Sequence, residues 1–165
     1  MTPDAVDQIL AQWQRERSDL DAAPMGVIGR IARITKHLDR SIQAAIAEFD
    51  LTLGEFDALA TLRRSGVPYQ LSPTELFKAL MISSGTITHR IDQLEQAALV
   101  QRIPDPSDRR GTLITLTDKG FHLIEQAVEA HVINADRHIL RALDDAERDA
   151  LAILLRKLLL SLEAD

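Results

Sequence analysis

The chain has 165 residues, 45% of them hydrophobic and 4% aromatic, with a formal net charge of −6. That length suits one domain or one protomer of a helical assembly, and it suffices to bury a core. The sequence lacks an apolar run long enough to span a bilayer, a charged-then-apolar leader and any cysteine. It therefore reads as a cytoplasmic protein with no membrane partner, no disulfide and no thiolate metal site.

Thr2-Pro3-Asp4 is a cap-plus-proline start for a first helix, with Val6, Ile9, Leu10 and Trp13 on one face. Asp21-Ala22-Ala23-Pro24 breaks it. A long helix is expected over residues 25–49, with Ile28, Ile31, Ile34, Leu38, Ile42, Ala45 and Phe49 as its apolar stripe. Thr52-x-x-Glu55 is a capping box for the next helix, which turns Phe56, Leu59 and Ala60 inward and stops near Gly66-Val67-Pro68.

Ser72-Pro73-Thr74-Glu75 repeats the capping signal with proline at the first helical position. The helix it opens is short, ending near Met81. Ser83-Ser84-Gly85-Thr86 restarts the chain at once, with Ile87, Ile91, Leu94 and Ala98 at helical spacing. Two helices joined by so short a turn form a helix-turn-helix. Val100–Ile103 and Thr112–Leu116 are β-prone, and between them lies a turn-rich loop with Asp108-Arg109-Arg110 at its tip. A hairpin placed there makes a winged helix, whose second helix reads the major groove while the arginine loop reaches the backbone or the minor groove.

Thr117 is positioned to cap a long helix through Phe121, Ile124, Val128, Val132, Ala135 and Ile139. Asp144-x-x-Glu147 opens a last helix that is apolar on nearly every face. Such a helix has to be buried on more than one side, and a partner subunit is the economical explanation. The expected fold is mainly α with a small β-hairpin. Residues 1–50 supply N-terminal helices, 51–120 the DNA-binding lobe and 121–165 C-terminal dimerisation helices.

The net negative charge is an objection, since DNA-binding domains are usually basic. Leu71–Gly120 answers it: Lys78, Arg90, Arg102, Arg109, Arg110 and Lys119 balance Glu75, Asp92, Glu95, Asp105, Asp108 and Asp118. The acidity sits outside the reading segment, where it limits indiscriminate phosphate binding.

On a helical wheel of about 100° per residue, Ile87, Ile91, Leu94 and Ala98 define the buried face of the second helix. Gly85, His89, Gln93 and Gln96 fall opposite. His89 and Gln93 are candidates for base edges, with Thr86 and Thr88 beside them. Ser83 and Ser84 sit at the helix N-terminus, where backbone amides suit phosphates. Arg90 falls about 60° from the buried centre, on a flank where an arginine needs an anion. Asp57 and Arg64, seven residues apart on the preceding helix, offer a partner and a second cation. Arg102, before the wing, is a third.

Leu71–Leu76, Ser84–Glu95, Asp108-Arg109-Arg110 and Leu116–Gly120 resemble the corresponding segments of the MarR family of bacterial transcriptional regulators, and the likeness extends over nearly the whole chain. The resemblance implies a homodimer built from paired N- and C-terminal helices, with two reading helices about 34 Å apart on a pseudo-palindromic duplex. It assigns Ser72, Pro73, Thr74, Ser83, Ser84, Gly85, Thr86, Thr88, His89, Gln93, Asp108, Arg109 and Arg110 to DNA, with Asp108 bracing an arginine that enters the minor groove. Without cysteine, the thiol-based oxidant sensing of some MarR-like proteins is excluded.

Trp13, Asp57, Arg64, Arg90 and Arg102 further resemble the set that lines the ligand pocket in the urate-responsive branch. This implies a repressor released by a small anionic aromatic effector, urate or a related purine. A phenolic or other lipophilic acid is the alternative, and a plain Asp57–Arg90 ion pair with Trp13 as packing is the structural one. No metal or other cofactor is expected, because His131 and His138 are too far apart to share an ion and His37, His89 and His122 have no tight partner. No nucleophile motif or glycine-rich phosphate loop points to an enzyme. A helical scaffold that binds only protein is the remaining class, and the arginine-tipped hairpin argues against it.

Overall fold

The computed structural model describes residues 2–80, 87–108 and 110–164. They fall into two compact units whose boundary along the chain lies between Ser41 and Ile42.

The first unit holds α1 (Ala5–Glu16) and the greater part of α2 (Ala23–Ala47). Asp4, rather than Thr2, caps α1. Its carboxylate accepts from the Val6 and Asp7 amides at 2.7 and 2.9 Å, while Asp7 accepts from the Asp4 amide at 2.8 Å. The helix thus begins after Pro3 because the carboxylate pair satisfies the orphan amides better than one threonine hydroxyl. Val6 is buried against Gly29, where an added Cβ would come within 3.3 Å of its Cγ1. Arg30 spans Asp4 and Asp7 at 2.9 and 2.6 Å and fastens the two helices. The first part of the α2 stripe stays open, with Ile28 65% and Ile34 53% exposed, while Leu38 and Ile42 are half-buried.

The second unit contains α3 (Leu53–Arg64), β1 (Gln70–Leu71), α4 (Pro73–Ala79), α5 (Ile87–Gln96), β2 (Val100–Pro104), β3 (Thr112–Leu116), α6 (Asp118–Asn134) and α7 (Asp145–Leu162). Capping boxes open α3, α4 and α7 at Thr52, Ser72 and Asp144, where the residue pattern puts them. The strands form an antiparallel sheet in the order β1-β3-β2. The hairpin is thereby joined by a third strand of only two residues, too short to leave a periodic signal.

Leu59, Leu62, Leu76, Ile91, Leu94, Ile114 and Ile124 make the core of this unit, each at most 2% exposed. Each such side chain contributes about 1.5–3 kcal/mol through its burial. Ala98 is not on the buried stripe of α5. The helix has ended, and Ala98 turns the chain at φ 57° while Leu99 takes the inward place. Thr117 then caps α6 and donates its hydroxyl to the Ala98 carbonyl at 2.7 Å. Gly120 admits this close approach, since a Cβ there would land on the Leu99 carbonyl.

α6 departs from the expected uninterrupted helix and passes into a π-helical turn at Ala135–Ile139. Arg148 closes that turn, bonding Asp136 at 2.6 Å and the Leu140 and Leu143 carbonyls at 3.2 Å. Beyond it no residue of α7 is buried; Ile153, Leu154, Leu160 and Leu162 are 60–77% exposed. Among the described residues no helix is long and apolar enough to cross a membrane.

Candidate nucleic-acid interface

The geometry of the reading lobe starts with Ser72. Its hydroxyl accepts from the Glu75 amide at 3.3 Å and donates to the Glu75 carboxylate at 2.7 Å, while its own amide reaches the same carboxylate at 2.9 Å. These bonds hold the Glu75 carboxyl below its ordinary pKa, so the cap stays charged near neutrality. Ser72 and Pro73 are half-buried and Thr74 is exposed, so of these three Thr74 is the most open to a duplex.

α5 is carried by Ile91 and Leu94, both sunk into the core. That seating turns Thr88, His89, Gln93 and Gln96 outward, and all four are exposed. Ser83, Ser84, Gly85, Thr86 and Arg109 lie outside the described residues. Arg90 is half-buried on the flank. Its guanidinium lies over the first turn of α3, so close to Gly54 that an added Cβ would fall 2.5 Å from its Cζ.

The wing is braced from within. The Asp108 carboxylate accepts from the Arg110 amide at 2.9 Å, and its carbonyl accepts from Gly111 at 2.8 Å. Asp105 accepts from the Ser107 hydroxyl and amide, both at 2.7 Å, and these bonds depress its pKa. Gly111 fits only because it has no side chain; a Cβ would come within 2.8 Å of the Asp105 Cβ. Asp108 thus shapes the loop through the Arg110 backbone, and Arg110 itself is exposed at the tip.

Asp57, Arg64, Arg102 and Trp13, which the sequence pattern groups with Arg90, stand at separate places. Asp57 is buried, 7% exposed, on α3. Arg64, at the far end of α3, donates to the Thr61 hydroxyl at 3.0 Å and to the Ala79 carbonyl that ends α4. Arg102 lies between two carboxylates of the reading helix: Nη2 is 2.5 Å from Asp92, Nη1 meets Glu95, and its backbone amide bonds Glu95 at 3.1 Å. The Asp92 bond is the main cause holding its pKa above the ordinary value. Trp13 is 38% exposed on α1 of the first unit.

Nothing in the sequence pattern by itself gives a role to Asp92, Glu95 or Gly54. Asp92 and Glu95, three apart on one helix, were the available signal for a cation from the wing. For Gly54 the signal was a poor helix former in a helix's first turn. No cluster of three metal-ligating side chains occurs among the described residues.

A buried-stripe helix with an outward polar row, seated on a short capped helix and followed by an arginine-tipped hairpin, defines a winged helix-turn-helix DNA-binding protein. A model of the MarR family matches residues 51–112. The chain is 46% identical over 150 residues to the HTH-type transcriptional regulator PecS of Dickeya dadantii, covering 91% of this chain and 90% of PecS. A mutant MarR of Escherichia coli complexed with operator DNA is similar in structure, with a TM-score of 0.71 and 26% identity over 89% of this chain and 97% of that one. So is Bordetella bronchiseptica BpsR, described with the regulation of its DNA binding by 6-hydroxynicotinic acid. Its TM-score is 0.70, with 31% identity over 80% of this chain and 91% of that one. The chain belongs to the MarR family: it is a DNA-binding transcriptional regulator and not an enzyme.

Proposed function

We propose that the protein is a homodimeric repressor, released from a pseudo-palindromic operator by a small aromatic anion. Thr74, Thr88, His89, Gln93 and Arg110 would face DNA together with Ser83, Ser84, Gly85, Thr86 and Arg109, with Ser72, Pro73 and Asp108 setting the geometry. The apolar residues of α2 and of α7 that the described residues of their own units leave open support the dimer.

The observation that carries the ligand reading is Arg90 lying over the first turn of α3, the helix that buries Asp57. A reading helix coupled to α3 through its one arginine is sensitive to any anion that competes for that arginine. Asp57, Arg64, Arg90 and Arg102 form the proposed ligand set, and Trp13 joins it on the family resemblance. An anion that engages Arg102 must draw it from Asp92 and Glu95, which would loosen the wing from α5. By reciprocity DNA then weakens the ligand equally, with a coupling of about 1–3 kcal/mol.

Urate or a related purine is the ligand that the subfamily resemblance suggests. A hydroxylated aromatic acid is the second reading, favoured by the 6-hydroxynicotinic acid that regulates BpsR. Thermal shift and DNA release tested against both classes would decide, using a duplex that the wild-type protein selects from a random library. Purines that neither raise the melting temperature nor release DNA sink the first reading. Equal release from Trp13→Ala, Asp57→Ala and Arg90→Ala sinks the pocket itself.

A further inference from the structure

We propose that Gly54 is a positioning residue for DNA reading: its missing side chain makes the seat on which Arg90 rests. This deepens, and rests on, the reading that Arg90 couples α5 to α3. A Cβ built on Gly54 would fall 2.5 Å from both Cζ and Nη2 of Arg90 and 2.6 Å from its Nε. Three atoms of one plane at nearly equal distance mean that the guanidinium turns its face to the place a Cβ would occupy. No side chain larger than hydrogen leaves it there.

Gly54 stands in the first turn of α3, two residues after the Thr52 cap. Glycine is the poorest helix former after proline, so local propensity argues for another residue there. Backbone electrostatics do not call the arginine to this place either, because the first turn is the positive end of the helix dipole. Space and a nearby anion remain as reasons. Asp57, one turn further along the same side of α3, is a buried carboxylate. The Glu55 carboxylate is held by Thr52 at 2.6 and 2.8 Å in the capping box. The flanking side chains, half-buried Leu53 and buried Phe56, belong to the core, which leaves position 54 as the open slot.

The contact fixes more than one side chain. Ile91 and Leu94 anchor α5 along its buried face, and Arg102 holds Asp92 and Glu95 from the wing. Arg90 adds a hold on α3 from the flank between them. A Cβ at position 54 would lift the guanidinium while leaving both other anchors intact. Because the displaced group is the far end of a flexible side chain, the fold can absorb the change.

The experiment is a double-mutant cycle on wild type, Gly54→Ala, Arg90→Ala and the double variant. Affinity for the library-selected duplex is read by fluorescence anisotropy, with melting temperature alongside. Each single substitution is expected to weaken binding on the order of tenfold. The double variant should bind no worse than Arg90→Ala, because no guanidinium is left to displace. Gly54→Ala should melt at or above the wild-type temperature, which separates lost positioning from lost stability. If it melts lower, the double variant must recover that loss, and failure to do so overturns the proposal. Wild-type affinity in Gly54→Ala beside weak binding in Arg90→Ala overturns the seat alone, as do losses that multiply. Unchanged affinity in Arg90→Ala overturns the coupling reading and this inference with it.

Discussion

The reading lobe and the last helix both rely on leucine and isoleucine, the last helix more densely, and they treat those residues in opposite ways. Leu59, Leu62, Ile91, Leu94 and Ile114 are all but inaccessible, whereas Leu151 through Leu162 in α7 are 40–77% exposed wherever leucine or isoleucine occurs. Both regions present apolar surface that needs a cover, but only that of the lobe is covered within the described chain. Apolar density therefore states that a surface must be covered, and the capping and turn residues around it state by what. α5 sits between a capped helix and a hairpin that close over it. α7 has Arg148 at its start and little else to close over it.

The largest effect should come from removing the uncovered helix. Truncation after Ala146 is expected to give a chain that aggregates or fails to fold, because its partner faces are left open. A truncated chain that runs as a soluble DNA-binding species on size exclusion would break the contrast drawn between the two regions.

The next effect lies at the wing. Arg110→Ala is expected to weaken binding by about 1–3 kcal/mol per half-site and to flatten the salt dependence. Unchanged mobility-shift affinity in the Arg109→Ala/Arg110→Ala double variant would remove the wing from the interface. Arg102→Ala acts less directly. It leaves Asp92 and Glu95 uncompensated beside the groove, and a loss of about 1 kcal/mol in operator binding is expected. Adding Asp92→Asn and Glu95→Gln should recover part of that loss if charge is the cause.

The smallest effect concerns His131, whose Nδ1 is buried without a hydrogen-bond partner among the described residues and whose ring lies 5.3 Å from that of Phe56. Burial pushes its pKa below the ordinary value. The unfolded chain then binds the proton more readily than the folded one. Stability contributed here is full above the unfolded pKa of about 6.5 and falls as pH drops toward the lower folded value. His131→Phe should flatten that acid limb in a pH series of melting curves. An unaltered limb would assign the acid sensitivity elsewhere.

The sequence was most legible where chemistry is local. Thr52, Ser72, Thr117 and Asp144 announced their helices because a cap needs only its own turn. The strands from Val100 and Thr112 were legible from β-branched runs around a turn-rich loop. Contacts between distant residues were harder to foresee. Arg102 read as a spare cation until β2 brought it to Asp92 and Glu95, and nothing local distinguishes Gly54 from a weak helix start. The two-residue β1 was hidden by its length. Ala98 matches the helical period but lies outside the buried stripe, because the backbone turns there at φ 57°.

The central claim is that the uncovered helix belongs to an interface which brings two reading helices to one duplex. Analytical ultracentrifugation of the full chain, alone and on its selected duplex, tests it most directly. A mass of twice the 18.4 kDa of the chain, held on dilution and bound as one unit to the duplex, is the predicted result. A stable 18.4 kDa species that occupies a single half-site would contradict it.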